Sequence, residues 1–259
     1  MQPLVNIAVN AARLAGDIIL RHADLVDHLK ISAKGEHDFF SEVDVKAEQA
    51  IIQTILKAYP DHGFIAEERG VVNPRAECVW IIDPLDGTSN YLHGFPFYAV
   101  SIALQIKNQL EHAVIYDPIR HECFSASRGR GARLNDRRLR VSKQTQLSAS
   151  FLAAGLQKKQ AQKTPSHPSL QTIFDQCASV RRTGSIALEL AYIACGRLDG
   201  LIGFDLKSWD IAAGCLLIQE AGGMISDTEG QSDYLKQGNL IAGNPKIFSA
   251  LLNALQSTS

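Results

Sequence analysis

The stretch VWIIDPLDGTSNYLHGFP, residues 79–96, decides how the chain is read. Val79–Ile82 is an apolar run that predicts a buried strand delivering Asp83. Pro84 has a fixed φ and no N–H, so the reading has the chain turn there at once, with Asp86 three residues on. Asp83, Asp86 and the Leu85 carbonyl are then expected to face a common point. Two carboxylates that close repel each other unless a cation sits between them. Hard oxygen ligands with no His or Cys nearby select Mg²⁺, with Mn²⁺ as a substitute. Gly87 permits close backbone approach, and Thr88 stands where a helix can begin and offer free N–H groups to an anion. Metal and phosphate would lie side by side. Read alone, D-P-L-D-G-T is equally an ordinary Asp/Gly turn.

Two neighbours shift that balance. Glu67-Glu68 ends the preceding apolar run, GFIAEE (63–68), which would bring Glu67 beside Asp83 in a sheet. Asp210 opens the apolar segment SWDIAAG (208–214), where an acid also serves as a helix cap.

Working outward, Leu4, Ile7, Ala8, Ala11, Leu14, Ala15, Ile18 and Ile19 predict a long amphipathic helix. KISAKGEHDFFSE (30–42) reads as a loop or hairpin, and a second helix starts near Asp44 and stops before Tyr59-Pro60. YAVSIALQI (98–106), EHAVIYDP (111–118) and HECFSAS (121–127) read as successive antiparallel strands with a tight turn at Lys107-Asn108-Gln109. QKKQAQKTPSHP (157–168) reads as a polar surface loop, after which strands and helices alternate. The sequence predicts an α/β (α+β) chain. Its expected halves are an N-terminal α+β part, 1–145, with most of the acids, and a C-terminal α/β part, 146–259, with Asp210.

At 259 residues the chain is long enough for one large or two smaller domains. With 46% hydrophobic and 20% charged residues, disordered and fibrous classes are excluded. Twenty-six basic against 27 acidic residues give a net charge of −1, which predicts no bulk attraction to nucleic acid or anionic membranes. The five cysteines are odd in number, with no C-x-x-C pair, which argues for a reducing compartment. No signal peptide and no continuous apolar run of spanning length is evident, so the expectation is a soluble, cytoplasmic protein with no membrane contact. Eight Lys/Arg fall between Arg120 and Lys143 against two acids, with no aromatic between Phe124 and Phe151 to stack a base. They read as a solvated or interface face, not a nucleic-acid patch.

FIAEE (64–68), DPLDGTSNY (83–91), YDP (116–118), the segment RTGS followed by ALELAY (182–192), WDIAAG (209–214), EAGG (220–223) and AGNP (242–245) together resemble the inositol monophosphatase family of lithium-sensitive, magnesium-dependent phosphatases. SEVDVKAE (41–48) and VRRTGS (180–185) are similar to its bacterial extragenic-suppressor branch. The resemblance implies a layered αβαβα sandwich and a homodimer. It implies that Glu67, Asp83, the Leu85 carbonyl, Asp86 and Asp210 bind two or three Mg²⁺ ions. Gly87 and Thr88 would hold the phosphate by backbone amides, and Thr88, Glu67 and Asp44 would orient or deprotonate the attacking water. Lys34 would bring a positive charge near that water, and Gly184, Ser185, Ile186, Gly203 and Asp205 would face the substrate.

Inositol-hydrolysing members usually carry a Glu seven residues before the W-D aspartate; here that position is Gly203. Asp205 is a candidate substitute if it lies on the same strand face. Ile186 stands where the family often has alanine and would narrow the pocket wall. The expected activity is a Mg²⁺-dependent phosphomonoesterase, inositol 1-phosphate first among its substrates, with sugar or nucleotide bisphosphates as alternatives. The suppressor branch also implies a competing role in contact with the transcription antitermination machinery.

Overall fold

The computed structural model describes residues 3–23, 31–35, 38–156 and 168–256. α1 (Pro3–Ala23) leads to a β1 (Ile31–Gly35)–β2 (Asp38–Ser41) hairpin and α2 (Glu42–Ala58). β3 (Gly63–Ala66), β4 (Gly70–Val72), β5 (Cys78–Asp86), α3 (Thr88–Leu92), β6 (Ala99–Ile106), β7 (Gln109–Asp117), β8 (Glu122–Ser127), β9 (Gly131–Leu134) and β10 (Arg137–Arg138) follow. β11 (Phe151–Leu156), α4 (Pro168–Gln176), β12 (Ser179–Arg181), α5 (Ile186–Ala194), β13 (Gly200–Phe204), α6 (Ser208–Glu220), β14 (Met224–Ser226), α7 (Tyr234–Gln237), β15 (Leu240–Gly243) and α8 (Pro245–Gln256) complete the described chain.

Two sheets carry the architecture. One has eight strands in the order β10-β9-β8-β7-β6-β5-β3-β4, the other five in the order β12-β11-β13-β15-β14. In the large sheet only β3 and β5 run parallel. α1 and α2 cover one face of it, α5 and α6 lie between the two sheets, and α4 and α8 cover the far face of the small sheet. The result is the expected αβαβα layering. Both faces of the central strands are buried, which explains why they read as near-continuous apolar runs although most pairs are antiparallel. On β5, Trp80 and Ile82 pack toward α1 and α2, whereas Ile81 packs toward α5 and α6.

Several expectations shift on inspection. The β5 strand does not end at Pro84. Asp83 pairs with Ser101 and Asp86 with Ala99, so three steps on β5 face two on β6 and a β-bulge absorbs the extra residue. A bulge is one of the few places in a sheet that tolerates proline. The buried stripe of α1 runs through Val5, Ala8, Ala12, Ala15 and Ile19, leaving Leu14 41% exposed. This helix is long and apolar enough to cross a membrane by length and composition, yet its stripe packs on α2 and the large sheet, with Gly16 closely approached by Tyr116. The Lys107-Asn108 turn has φ of 51° and 63° at its central residues, as a two-residue type I′ hairpin requires. Residues 157–167 of the polar loop lie outside the described residues, while Pro168 is not loop but the first residue of α4.

The middle layer depends on one close contact. A Cβ on Gly214 of α6 would stand 2.4 Å from Leu190 Cβ on α5. In an ordinary helix, Gly→Ala stabilises by up to about 1 kcal/mol. Here overpacking of a rigid Cβ opposes it by about 1–3 kcal/mol, so the sign should reverse. Gly214→Ala is therefore expected to lower the urea midpoint at unchanged slope; a raised midpoint would refute the close packing.

Candidate active site

Five elements deliver side chains to the carboxyl end of β5. Residue pairing of β3 with β5 sets Ala66 beside Ile82, so Glu67, whose N–H donates to the Ile82 carbonyl at 3.2 Å, follows directly alongside Asp83. Asp83 and Asp86 flank the bulge and are only 2% and 8% exposed. Leu85 N–H donates to Asp83 Oδ1 at 3.0 Å, closing a tight turn on that carboxylate. Asp86 Oδ2 accepts from Ser185 Oγ at 2.5 Å and from Ala187 N–H at 2.7 Å, both at the start of α5. Asp210 is the third residue of α6, and its Oδ2 accepts from Lys207 N–H at 2.8 Å. Its capping role and its place beside the other acids therefore coexist. Ser101, opposite Asp83 in register, donates its hydroxyl to the Trp209 carbonyl at 3.3 Å and so ties the start of α6 to the same strand end.

Among the described residues the electrostatics at Asp83 are one-sided. Burial pushes the Asp83 carboxyl well above the ordinary carboxylate range, and every charged side chain acting on it, Glu67, Asp86 and Asp210, pushes the same way. Burial raises Asp86 to about 6 even though Ser185 and the α5 amides favour its charged form. Among the described residues these acids do not close into a ready-made three-ligand cage, and one oxygen each of Asp83, Asp86 and Asp210 accepts from a protein donor. The donor set is nonetheless all hard oxygen, with Asp83 and Asp86 buried and Glu67 and Asp210 half-buried, which is the chemistry that Mg²⁺ fits.

Beside the acids, Thr88 Oγ1 lies 2.9 Å from Asp44 Oδ1 and 3.0 Å from the Leu85 carbonyl, donating to that pair of acceptors. Asp44 is fully buried in the first turn of α2. Gly87 precedes α3 with φ 97°, and no side chain caps that helix. A Cβ at Gly87 would meet the Phe97 and Gly184 carbonyls at 3.1 and 3.3 Å, so only glycine suits both the backbone angle and the space. Gly184, at φ 86°, is pinned against Asn90, which donates to the Thr183 and Phe97 carbonyls at 2.8 and 2.7 Å.

The substrate-facing candidates fall differently. Ser185 is fully buried, donates to Asp86 and caps α5, so in this structure it positions an acid. Asp205 is not on the strand: β13 ends at Phe204, and Asp205 takes a left-handed φ of 55°, which breaks the alternation that would have set it on the Gly203 face. The space a side chain at Gly203 would need is held by Leu206, with Cδ1 2.5 Å from the Cβ position. Ile186 Cδ1 fills the corresponding space at Gly155, at 2.8 Å. The wall at this end is apolar. Lys34 lies on β1, and its side chain is outside the described residues.

Three supporting residues escaped the reading. Glu48 sits one turn after Asp44 and accepts from the Glu68 and Arg69 N–H groups at 2.7 and 2.8 Å, fixing the turn that carries Glu67. Its signal was a second acid four residues on, sharing a helix face. Ser101 was legible as the lone small polar residue inside an apolar strand. Asn90 reaches across 93 residues to Thr183, a contact no local pattern announces.

The pattern of the inositol monophosphatase family matches residues 1–259. The chain is similar to the Nus factor SuhB of Pseudomonas aeruginosa, 46% identical over 99% of this chain and 97% of that protein. Among solved structures it is similar to extragenic suppressor protein suhB from Bartonella henselae, at TM-score 0.94 and 41% identity over 100% of both chains. It is also similar to inositol monophosphatase from Anabaena (Nostoc) sp. PCC 7120, at TM-score 0.88 and 32% identity over 99% of this chain and 96% of that one. With its whole length matched and these layers shared, the chain belongs to the inositol monophosphatase family, a family of phosphatases.

Proposed function

We propose that the protein is a Mg²⁺-dependent phosphomonoester hydrolase, with inositol 1-phosphate its first candidate substrate, working as a cytoplasmic homodimer. The observation that carries this reading is the acid cluster around the buried Asp83 carboxyl, on which every charge acting among the described residues is negative. Glu67, Asp83, the Leu85 carbonyl, Asp86 and Asp210 would hold two or three Mg²⁺ ions. Bound there, Mg²⁺ supplies Lewis-acid polarisation of the phosphoryl group and acidifies water. Gly87 and Thr88 offer backbone amides to the phosphate at the uncapped start of α3. The Thr88 hydroxyl, held by Asp44, orients the attacking water, and Asp44 with Glu67 takes up its proton. Gly184 and Ile186 border the substrate, and Leu206 makes the wall at Gly203 apolar, so the hydroxyl-reading acid of other members has no counterpart there. That wall is why a sugar or nucleotide bisphosphate stays as the alternative substrate.

A second reading rests on the relative named Nus factor SuhB: contact with the transcription antitermination machinery, through surface and not through catalysis. The two roles are separable by a catalytically silent variant.

Phosphate release at millimolar Mg²⁺ from myo-inositol 1-phosphate, glycerol 2-phosphate, fructose 1,6-bisphosphate and 3′-phosphoadenosine 5′-phosphate, with and without Li⁺, tests the reading. Mg²⁺-dependent release, with inositol 1-phosphate preferred, is expected. Preference for another ester reassigns the substrate, and no turnover on any of them leaves the transcription reading in its place. Asp83→Asn should abolish metal-dependent release in a folded protein; full activity in that variant would sink the mechanism. Ser185→Ala removes a hydroxyl from Asp86 and should cost about 10- to 100-fold in Mg²⁺ affinity or activity, read from the metal dependence of the rate.

A further inference from the structure

At the opposite end of the large sheet a cavity of about 490 Å³ is lined by Val5, Ser125, Ser127, Arg130, Gly131 and Arg133, with Asp136 at the same site. Its origin is a gap in the layering. On β8, Cys123 packs under the α1–α2 layer, but two and four residues on the same face carries Ser125 and Ser127. The cover runs out there, with Val5 in the first turn of α1 at the cavity. Register sets Arg133 opposite Ser125 and Gly131 opposite Ser127. The side chain that Gly131 lacks is replaced by the Arg138 guanidinium, whose Nε stands 3.4 Å from the Cβ position.

The charges here lack the carboxylate partners that Arg120 and Arg128 of the same strip have. Arg120, Arg128 and Arg197 pair with Asp117, Glu111 and Glu122. Among the described residues Arg130, Arg133 and Arg138 make no ion pair, and Arg133 donates to the Asp136 carbonyl, not to its carboxylate. Ser125 and Ser127 are buried hydroxyls, the latter bonded to the buried His112 ring at 3.0 Å. Guanidinium groups that flank hydroxyls in a cleft match the oxygens of a phosphate, which Arg binds by paired, charge-assisted hydrogen bonds. A cavity of this size accommodates a small molecule of nucleotide dimensions.

We infer that this cleft is a second anion site, which binds the phosphomonoester group of a small molecule on Arg130, Arg133 and the β8 serines. It lies three to four strands from the acids of β5, roughly 15–20 Å away at the usual strand spacing. It stands independently of the proposed catalysis.

The test is calorimetric titration of the full chain in EDTA with orthophosphate, adenosine monophosphate and a short single-stranded RNA. Without metal the acid cluster repels anions, so binding reports on the cleft. Orthophosphate and adenosine monophosphate should bind the wild type and Asp83→Asn alike. Arg130→Ala and Arg133→Ala should each weaken binding about 10- to 100-fold, with Arg130→Lys intermediate. Arg130→Ala should leave Mg²⁺-dependent phosphate release unchanged. No binding in EDTA, wild-type affinity retained in both alanine variants, or binding of RNA alone would overturn the inference. An active Asp83→Asn would overturn the catalytic reading without touching this one.

Discussion

Carboxylates that share one buried strand end repel, and much of the local structure around β5 manages that repulsion. Asp83 and Asp86 are brought together by the bulge at Pro84-Leu85, and Glu67 is added by the parallel β3. Isolated, each buried negative charge would cost several kcal/mol. The protein answers with helix starts. The first amides of α5 and the Ser185 hydroxyl face Asp86, and α6 begins around Asp210, where the helix dipole favours an acid. Both helices lie in the layer between the sheets, which is why the site forms where the layers meet. Among the described residues no basic side chain acts on Asp83, which is what the proposed cation would balance.

The same constraint explains which glycines are fixed. Gly87 and Gly184 approach each other across the site in left-handed conformations, and a Cβ at either would push the α5 amides away from Asp86 or crowd Asn90. Backbone approach here therefore sets the electrostatics, because the donors that hold Asp86 come from the segment that Gly184 and Asn90 anchor.

Much of this was legible from local pattern. Periodicity located the long helices and central strands, and the acids at 67, 83, 86 and 210 stood out because polar residues at the ends of apolar runs need a reason. What stayed hidden depended on contacts between distant residues. Pro84 read as a turn because a single chain does not display the partner strand against which it becomes a bulge. Ser185 read as a substrate contact because its bond to Asp86 spans 99 residues. Asp205 was a substitute for the missing acid only if it shared a strand face with Gly203, a condition that the left-handed step after Phe204 removes. β11 and α4 were missed beside the polar loop, where apolar runs are short.

Net charge was the least informative quantity of all. A balance of −1 conceals a sheet whose β5 end gathers acids and whose β8–β10 end gathers Arg130, Arg133 and Arg138, which make no ion pair among the described residues. Both poles arise from the layering. Where helices cover the sheet its residues are apolar, and polar chemistry is confined to the places where cover begins or stops. At the β5 end cover begins with helix N-termini, which suit acids. At the β8 end cover stops over Ser125 and Ser127, and the exposed sheet face is free to carry guanidinium groups. Segregation of this kind creates local potentials that a summed charge cannot report, and anions meet opposite fields at the two ends of one sheet.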